Sequence, residues 1–335
     1  MAASQAAVMV ARLSQWSNDL IAYQRGVVAR WQVADQPGDL SAIDSLIRGH
    51  RWQTLYRGVY GAHTGPPDRA ATLWAAVLRC GPSAALSHFT AAELDGLVDK
   101  PADAIHVTTP LRVRVEISEG EFTEVRPRIL VHRSARCDAA KHPARTPTRI
   151  RTEETVLDLV DLADTFDVAF GWLSTACGRR LVTVSQLSSA AAGRAKLRWR
   201  KDVAVALEEI SDGVMSNLER GFLRLVERPH GLPKPHRQAK RRQGQRSSYL
   251  DNLYQEFGLA VELDGHGAHP AESRWRDIHR DNYFAGSGII TLRYSWADIV
   301  ERPCQVACEI ARVLHLRGWT GTLRNCGPHC QMSRP

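Results

Sequence analysis

The stretch LAVELDGHGAH, residues 259–269, constrains this chain more than any other part of its sequence. Its first six residues are apolar and β-prone at alternating positions and predict a strand. Side chains alternate between the two faces of a strand, so Glu262 and Asp264 share one face. The preceding run SSYLDNLY predicts a second strand. If the hairpin turns over Glu256–Phe257, Asp251 falls opposite Glu262, and three acids crowd one patch.

Three crowded carboxylates repel one another unless a cation neutralises them, and their oxygens suit Mg²⁺ or Mn²⁺. A metal ion of this kind activates water and stabilises the charge that develops on a phosphodiester under attack. His266 and His269 follow the strand and are candidates for proton transfer. The alternative is a solvent-facing sheet edge whose acids pair with nearby arginines.

The segment Gly231–Leu250, directly before these acids, has six basic residues and no acidic one. The whole chain has 44 Lys and Arg against 36 Asp and Glu, a net charge of +8. Basic runs attract phosphates through counterion release without reading sequence. A solvated loop without a ligand is the alternative, but the neighbouring acids favour a nucleic-acid partner.

At 335 residues the chain exceeds one ordinary core and predicts two or three domains. It has no run of about 18 apolar residues, which argues against a membrane span. The start MAASQAAVMVA lacks the basic and apolar regions of a secretion signal. Seven scattered cysteines fit a reducing compartment better than a disulfide framework. We therefore expect a cytoplasmic protein without a membrane partner.

The apolar patterns predict an α/β protein, α+β overall, in four parts. Residues 1–65 predict a winged helix: a helical segment 21–35 broken at Gly26, a helix Leu40–Arg48 capped by Asp39, and a hairpin. The other parts are a mixed α/β and helical middle domain at 66–210, an α/β domain with a mixed sheet at 211–319, and a disordered tail at 320–335.

The cysteines leave one possibility open. Cys326, His329 and Cys330 in the tail offer zinc ligands, and Cys304 and Cys308, one turn apart on a predicted helix, offer two more. The spacing differs from that of a standard zinc finger, so small core residues are the favoured interpretation of the helix pair.

Between Ser216 and Ile299, the pieces SNLERGFLRLV, YLDNLYQEFGLAVELDGHGAH and RWRDIHRDNYFAGSGIITLRYSWADI resemble the Vsr-like endonuclease-fold domain, common in actinobacterial proteins of unknown function. This family belongs to the PD-(D/E)XK nuclease superfamily, which implies a restriction-endonuclease-like fold and an acidic metal site. By resemblance, matching positions are the first-helix acid Glu219, the second-strand acid Asp251, the E-x-D-G acids Glu262 and Asp264, the following His269, and Arg280, Asp281, Arg293 and Trp296. The sequence departs from the superfamily at Asp264, which replaces its usual lysine, and at Leu250, which replaces its usual proline.

The N-terminal pieces RGVVARWQVAD, LSAIDSLIRGHRWQTLYRGVYG and LSHFTAAELDGL resemble the AbiEi-type antitoxin arrangement of a winged helix followed by a second domain. The resemblance implies that Leu40–Arg48 is a recognition helix for the major groove of DNA. It also implies phosphate contacts from Arg48, Arg51 and Arg57. Two acids, Asp39 and Asp44, weaken that face electrostatically.

These observations predict a DNA-binding protein whose winged helix targets a Mg²⁺- or Mn²⁺-dependent endonuclease domain. Asp251, Glu262 and Asp264 are the predicted metal ligands, Glu219 assists, and His269 transfers protons. The predicted DNA contacts are Arg48, Arg51, Arg57, Lys240, Arg241, Arg242 and Arg280.

A second hypothesis is a non-enzymatic, antitoxin-like regulator with a degenerate nuclease fold, which Asp264 in the lysine position favours. RNA as the substrate is a third. A toxin encoded next to this chain would favour the regulator, and a neighbouring methyltransferase would favour restriction or repair.

Overall fold

The computed structural model describes residues 13–36, 38–113, 115, 127–243, 246–264, 271–328 and 330–332. The chain divides into two units, Met1–Ala163 with Arg179–Arg198 and Asp164–Gly178 with Trp199–Pro335. One antiparallel sheet, two mixed sheets and many helices confirm the predicted α/β class. None of the described helices combines the length and the hydrophobicity that crossing a bilayer requires.

Up to Ala163, the first unit contains α1 (Gln15–Tyr23), β1 (Val27–Ala29), α2 (Asp39–Arg48), β2 (Gln53–Tyr56), β3 (Val59–Gly61), α3 (Arg69–Cys80), β4 (Ala85–Leu86), α4 (His88–Leu94), β5 (Ile105–Thr109), β6 (Ile129–Arg133), α5 (Cys137–Ala140) and α6 (Thr152–Leu162). The second unit then contributes α7 (Phe166–Gly178), and α8 (Val184–Gly193) completes the first. The remaining elements, all in the second unit, are α9 (Arg200–Ser211), α10 (Asn217–Gly221), α11 (Arg228–His230), β7 (His236–Gln243), β8 (Arg246–Tyr254), β9 (Leu259–Asp264), α12 (Ala271–Gly286), β10 (Ile290–Ser295), α13 (Trp296–Glu301) and α14 (Pro303–Leu316).

The N-terminal segment contains the predicted helix α2 and the predicted hairpin β2–β3. The helical prediction for residues 21–35 is wrong at Val27–Ala29, which form β1 and pair with β3. All three residues of β1 are buried. Tertiary pairing and burial of two β-branched valines therefore override the local helical pattern.

The sequence predicts Asp39 as the N-cap of α2, but Gly38 takes that position. The buried Asp39 carboxylate instead accepts hydrogen bonds from the Ser14 backbone N–H at 2.9 Å and the Ser14 hydroxyl at 2.7 Å. The Ser17 hydroxyl donates to it as well. Asp39 thus links the beginnings of α1 and α2, and because it is buried it does not lower the charge of the exposed face of α2 as the sequence predicts.

The segment predicted as a winged helix shares its core with the segment predicted as a separate middle domain. Val27 and Leu55 belong to the same buried cluster as Trp74 and Ile105. The structure accordingly groups the two segments into one unit, and it assigns α7 and α9 to the other.

The second unit is built on a four-stranded sheet in the order β10-β9-β8-β7. β10 runs parallel to β9, whereas the other neighbours are antiparallel. The structure confirms the predicted strands β8, β9 and β10 and the predicted helices α12 and α14. β7 was not predicted: the basic segment, for which a solvated loop was the alternative, is a strand paired along β8.

The prediction of a disordered tail is wrong for Leu323 and Arg324. Leu323 packs against the buried cluster of the second unit. The Arg324 backbone N–H donates to the carbonyl of His230 at 2.9 Å. Apolar burial and this hydrogen bond hold the tail against α11.

Gly258 closes the turn between β8 and β9 in a left-handed conformation, with φ of +56°. A Cβ there would lie 2.7 Å from the carbonyl oxygen of Gly288. We expect Gly258→Ala to lower the free energy of unfolding by at least about 1 kcal/mol, because left-handed backbone alone costs an L-residue roughly that much. Urea unfolding followed by circular dichroism measures the change.

Gly286→Ala is the matched control, since a Cβ at the end of α12 meets nothing within 4 Å. It should leave the stability unchanged or slightly higher. Equal stability of both variants would contradict the prediction.

Candidate active site

The turn between β8 and β9 sets the register that brings the acids together. A 3-10 turn at Gln255–Phe257 and left-handed Gly258 connect the strands. Tyr254 then pairs with Leu259 and Asn252 with Val261. The same register, carried one residue further, places Asp251 beside Glu262, as the sequence predicts.

Asp251 and Glu262 are joined by hydrogen bonds between side chains and backbone. The Asp251 backbone N–H donates to Glu262 Oε1 at 3.2 Å. The Leu263 backbone N–H donates to Asp251 Oδ2 at 3.0 Å. Each carboxylate therefore accepts a hydrogen bond from the backbone of the neighbouring strand, which fixes both side chains at the point where the regular ladder ends.

Gln238 on β7 connects this pair to Glu219 of α10. Its Nε2 lies 3.3 Å from Glu219 Oε1 and 3.3 Å from Asp251 Oδ1. Glu219 also accepts hydrogen bonds from the Met215 backbone N–H at 3.0 Å and the Ser216 hydroxyl at 3.2 Å. The sequence analysis missed Gln238; predicting β7 and counting its register against β8 would have found it.

Two arginines, one from α12 and one from β10, form ion pairs with the acids. Arg280 Nη2, from α12, lies 3.2 Å from Glu262 Oε2. Arg293, from β10, contacts Asp264 at 3.1 Å and Asp281 at 3.0 Å. Asp264 is thus held in an ion pair with Arg293 and is more exposed than the nearly buried Glu262.

The negative charge of Glu219, Asp251 and Glu262 is only partly compensated by the arginines. Burial raises the pKa of Glu262 to about 7, and the neighbouring charge of Asp251 adds to the effect. Burial also raises the pKa of Asp251 and of Glu219 above their ordinary values. A cation that replaced the protons would relieve this repulsion, so the pair Asp251–Glu262 has the charge of a metal-binding site.

The three predicted metal ligands do not all converge on one point. Among the described residues, Asp251, Glu262 and Asp264 do not form a group whose oxygens all lie within 4.8 Å of one another. The ion pair with Arg293 gives Asp264 another partner, which favours a site of two carboxylates. Two suffice for Mg²⁺, which usually keeps several waters and binds to one or two carboxylates and to substrate phosphates.

His269, the predicted proton-transfer residue, lies outside the described residues, as does His266. Its role therefore stays a prediction.

The basic residues of β7 form a surface beside the acids. Lys240 pairs with Tyr249, and Arg242 lies two residues further along the same face of the hairpin. All three side chains are exposed. Arg241 is half-buried and donates to Gln255 Oε1 at 2.8 Å, so the turn engages its guanidinium.

In the first unit, Arg48, Arg51 and Arg57 are exposed. Arg48 Nε donates to the backbone carbonyl of Asp44 at 3.2 Å, and Asp44 itself pairs with Arg30 at 3.0 Å. The second acid of this helix is therefore neutralised, which leaves the surface around α2 basic.

Comparison with known proteins adds no family to this geometry: no protein-family model matches the chain, and no curated protein matches it.

The raised pKa of Glu262 predicts a pH-dependent penalty when no divalent cation is present. Between the ordinary pKa of a glutamate and about 7, the folded state keeps a proton that the unfolded state has lost. The contribution of Glu262 to stability is therefore present at low pH and is lost as the pH rises through that window. We expect Glu262→Gln to become more stable relative to the wild-type chain between pH 5 and pH 8, by up to about 3 kcal/mol.

Urea unfolding in EDTA across this pH range measures the difference, and the comparison with wild type cancels the titration of other groups. Glu256→Gln, which removes an exposed carboxylate of the turn, serves as the control and should show no such trend. Identical trends for the two variants would rule out an elevated pKa at Glu262.

Proposed function

We propose that the second unit is a Mg²⁺- or Mn²⁺-dependent endonuclease that hydrolyses phosphodiester bonds of DNA. The observation that carries the proposal is the pair Asp251–Glu262. Each of these two carboxylates accepts a backbone hydrogen bond from the neighbouring strand, burial raises the pKa of both, and the charge of Asp251 raises that of Glu262 further. The αβββαβ order of α10, β7, β8, β9, α12 and β10 agrees with the restriction-endonuclease-like fold that the resemblance implies.

Each residue of the pair has a defined task in this proposal. Asp251 and Glu262 bind the metal ion, and the hydrogen bonds from Leu263 and Asp251 N–H orient their oxygens. Gln238 fixes Asp251 relative to Glu219. When bound, the ion supplies an activated water and neutralises charge on the scissile phosphate.

Arg280 is suited to the substrate as well as to the acid. Its guanidinium lies beside Glu262, and a guanidinium binds phosphate oxygens in a bidentate manner. A phosphate next to the Asp251–Glu262 pair would thus meet a cation from α12.

The face of the hairpin that carries Lys240, Arg242 and Tyr249 is the proposed path of the DNA backbone in this unit. Two exposed cations provide the attraction for phosphates, and the exposed Tyr249 offers an aromatic ring for stacking. In the first unit, α2 is the proposed recognition helix, with Arg48, Arg51 and Arg57 on phosphates.

A specific observation favours the second candidate, a regulator that binds DNA without cutting it. Arginines already contact Glu262 and Asp264. Such pairs neutralise acids without a metal, as in a nuclease fold that has lost its chemistry. The two candidates differ in metal binding, which a regulator does not need.

The nuclease proposal predicts that purified protein nicks supercoiled plasmid in Mg²⁺ and not in EDTA. Asp251→Asn and Glu262→Gln should each lower the nicking rate by at least about 100-fold, since even outer-shell partners of metal ligands are worth about 10- to 100-fold. Gel quantification of nicked plasmid over time measures the rate.

Glu256→Gln is the matched control, because it removes an exposed carboxylate from the same hairpin, and it should nick at the wild-type rate. Equal nicking by all variants would point to a contaminating nuclease and end the assignment. DNA binding without nicking, and without heat of Mg²⁺ binding in calorimetry, would favour the regulator.

The hairpin surface makes a separate prediction about DNA affinity. Lys240→Ala with Arg242→Ala should weaken binding to DNA of any sequence and reduce the slope of log affinity against log salt by about 2, since each phosphate contact contributes about 0.9. Fluorescence anisotropy of a labelled duplex at several salt concentrations measures the slope. Arg312→Ala, an exposed cation on α14, should leave the slope unchanged; an equal loss there would mean that only net charge matters.

A further inference from the structure

The C-terminal tail brings two cysteines to a third cysteine and a buried histidine. Cys326 and Cys330 of the tail meet Cys304 at the start of α14 and His230 at the end of α11. One ligand atom from each of the four residues lies within 4.8 Å of those of the other three. Three elements distant in sequence thus converge on one point.

The sulfur distances match those of a tetrahedral metal site. Cys304 Sγ lies 3.6 Å from Cys326 Sγ and 3.8 Å from Cys330 Sγ. A zinc ion with bonds of about 2.3 Å to sulfur holds two ligand sulfurs about 3.8 Å apart in a tetrahedron. The spacing is too long for a disulfide bond, which is about 2.05 Å.

His230 is arranged as a metal ligand. It is fully buried, and its Nδ1 lies 2.8 Å from the carbonyl oxygen of Val226. This contact makes Nδ1 the protonated nitrogen and leaves the lone pair on Nε2. Nε2 is buried and has no hydrogen-bond partner among the described residues, a state that is unfavourable unless something binds it. Histidine ligands of metals usually donate one ring N–H to a carbonyl or carboxylate and bind the metal through the other nitrogen.

We propose that Cys304, Cys326, Cys330 and His230 bind a structural zinc ion. Three thiolates and one imidazole in a tetrahedral arrangement suit zinc, and four protein ligands leave no open position for catalysis. The ion ties the tail to α11 and α14, beside the hydrogen bond from Arg324 N–H to the His230 carbonyl. Compared with the set considered from sequence, His230 takes part, Cys308 lies outside the four, and His329 is outside the described residues.

The first test is the metal content of the full chain, purified under reducing conditions from zinc-supplemented cells. We expect elemental mass spectrometry to find one equivalent of zinc per chain. Three thiols should be protected from alkylation until a chelator is added. Co²⁺ in place of zinc should give the d–d absorption and thiolate charge-transfer bands of a tetrahedral site.

Cys326→Ser and Cys330→Ser are the informative variants, because both side chains lie in the tail and neither substitution opens a cavity in the core. Each should lower zinc affinity at least about 10-fold and lower the melting temperature of the zinc-loaded protein. Cys308→Ser, one helical turn from Cys304, is the matched control and should keep the zinc.

Two results would overturn the site. They are wild-type protein, purified under reducing conditions, without zinc and with freely reacting thiols, or zinc retained by both tail variants. None of these measurements involves DNA or Mg²⁺, so the outcome is independent of the nuclease proposal.

Discussion

The candidate active site depends on the hydrogen bonds that two carboxylates accept from backbone N–H groups of the neighbouring strand. The Leu263 N–H to Asp251 and the Asp251 N–H to Glu262 replace the regular ladder where β8 and β9 separate. Because the acids satisfy backbone donors, neither can rotate away without leaving a partly buried N–H unpaired. The hairpin turn at Gly258 sets the register that makes this exchange possible.

Charge balance divides the predicted ligands into two groups. Burial raises the pKa of Asp251 and Glu262, the charge of Asp251 adds to the effect at Glu262, and Arg280 compensates only part of that charge. Asp264 is more exposed and shares Arg293 with Asp281. A bound cation would therefore be stabilised most by the Asp251–Glu262 pair. The same arginines also explain how the domain tolerates its acids when no metal is bound. A protein that only binds DNA would always be in this metal-free state.

Local pattern predicted much of the second unit. The alternation in LAVELD and the short turn before it were enough to place Glu262 beside Asp251, because strand periodicity and hairpin register are properties of neighbouring residues. The same reasoning missed β7, whose run of basic residues has no apolar alternation and becomes a strand through pairing with β8. It also misassigned Val27–Ala29 and Asp39, whose partners lie in β3 and α1. These are contacts between residues that local windows do not connect.

The sequence by itself determined which chemistry was available: acids on a strand, a basic segment beside them, and cysteines and histidines scattered along the chain. Tertiary structure decided which of them meet. It joined Gln238 to Asp251 and Glu219, turned Asp264 toward Arg293, and brought His230 to cysteines more than seventy positions away. Residue type sets what a side chain can bind, whereas burial and long-range packing set its neighbours, its pKa and therefore its task.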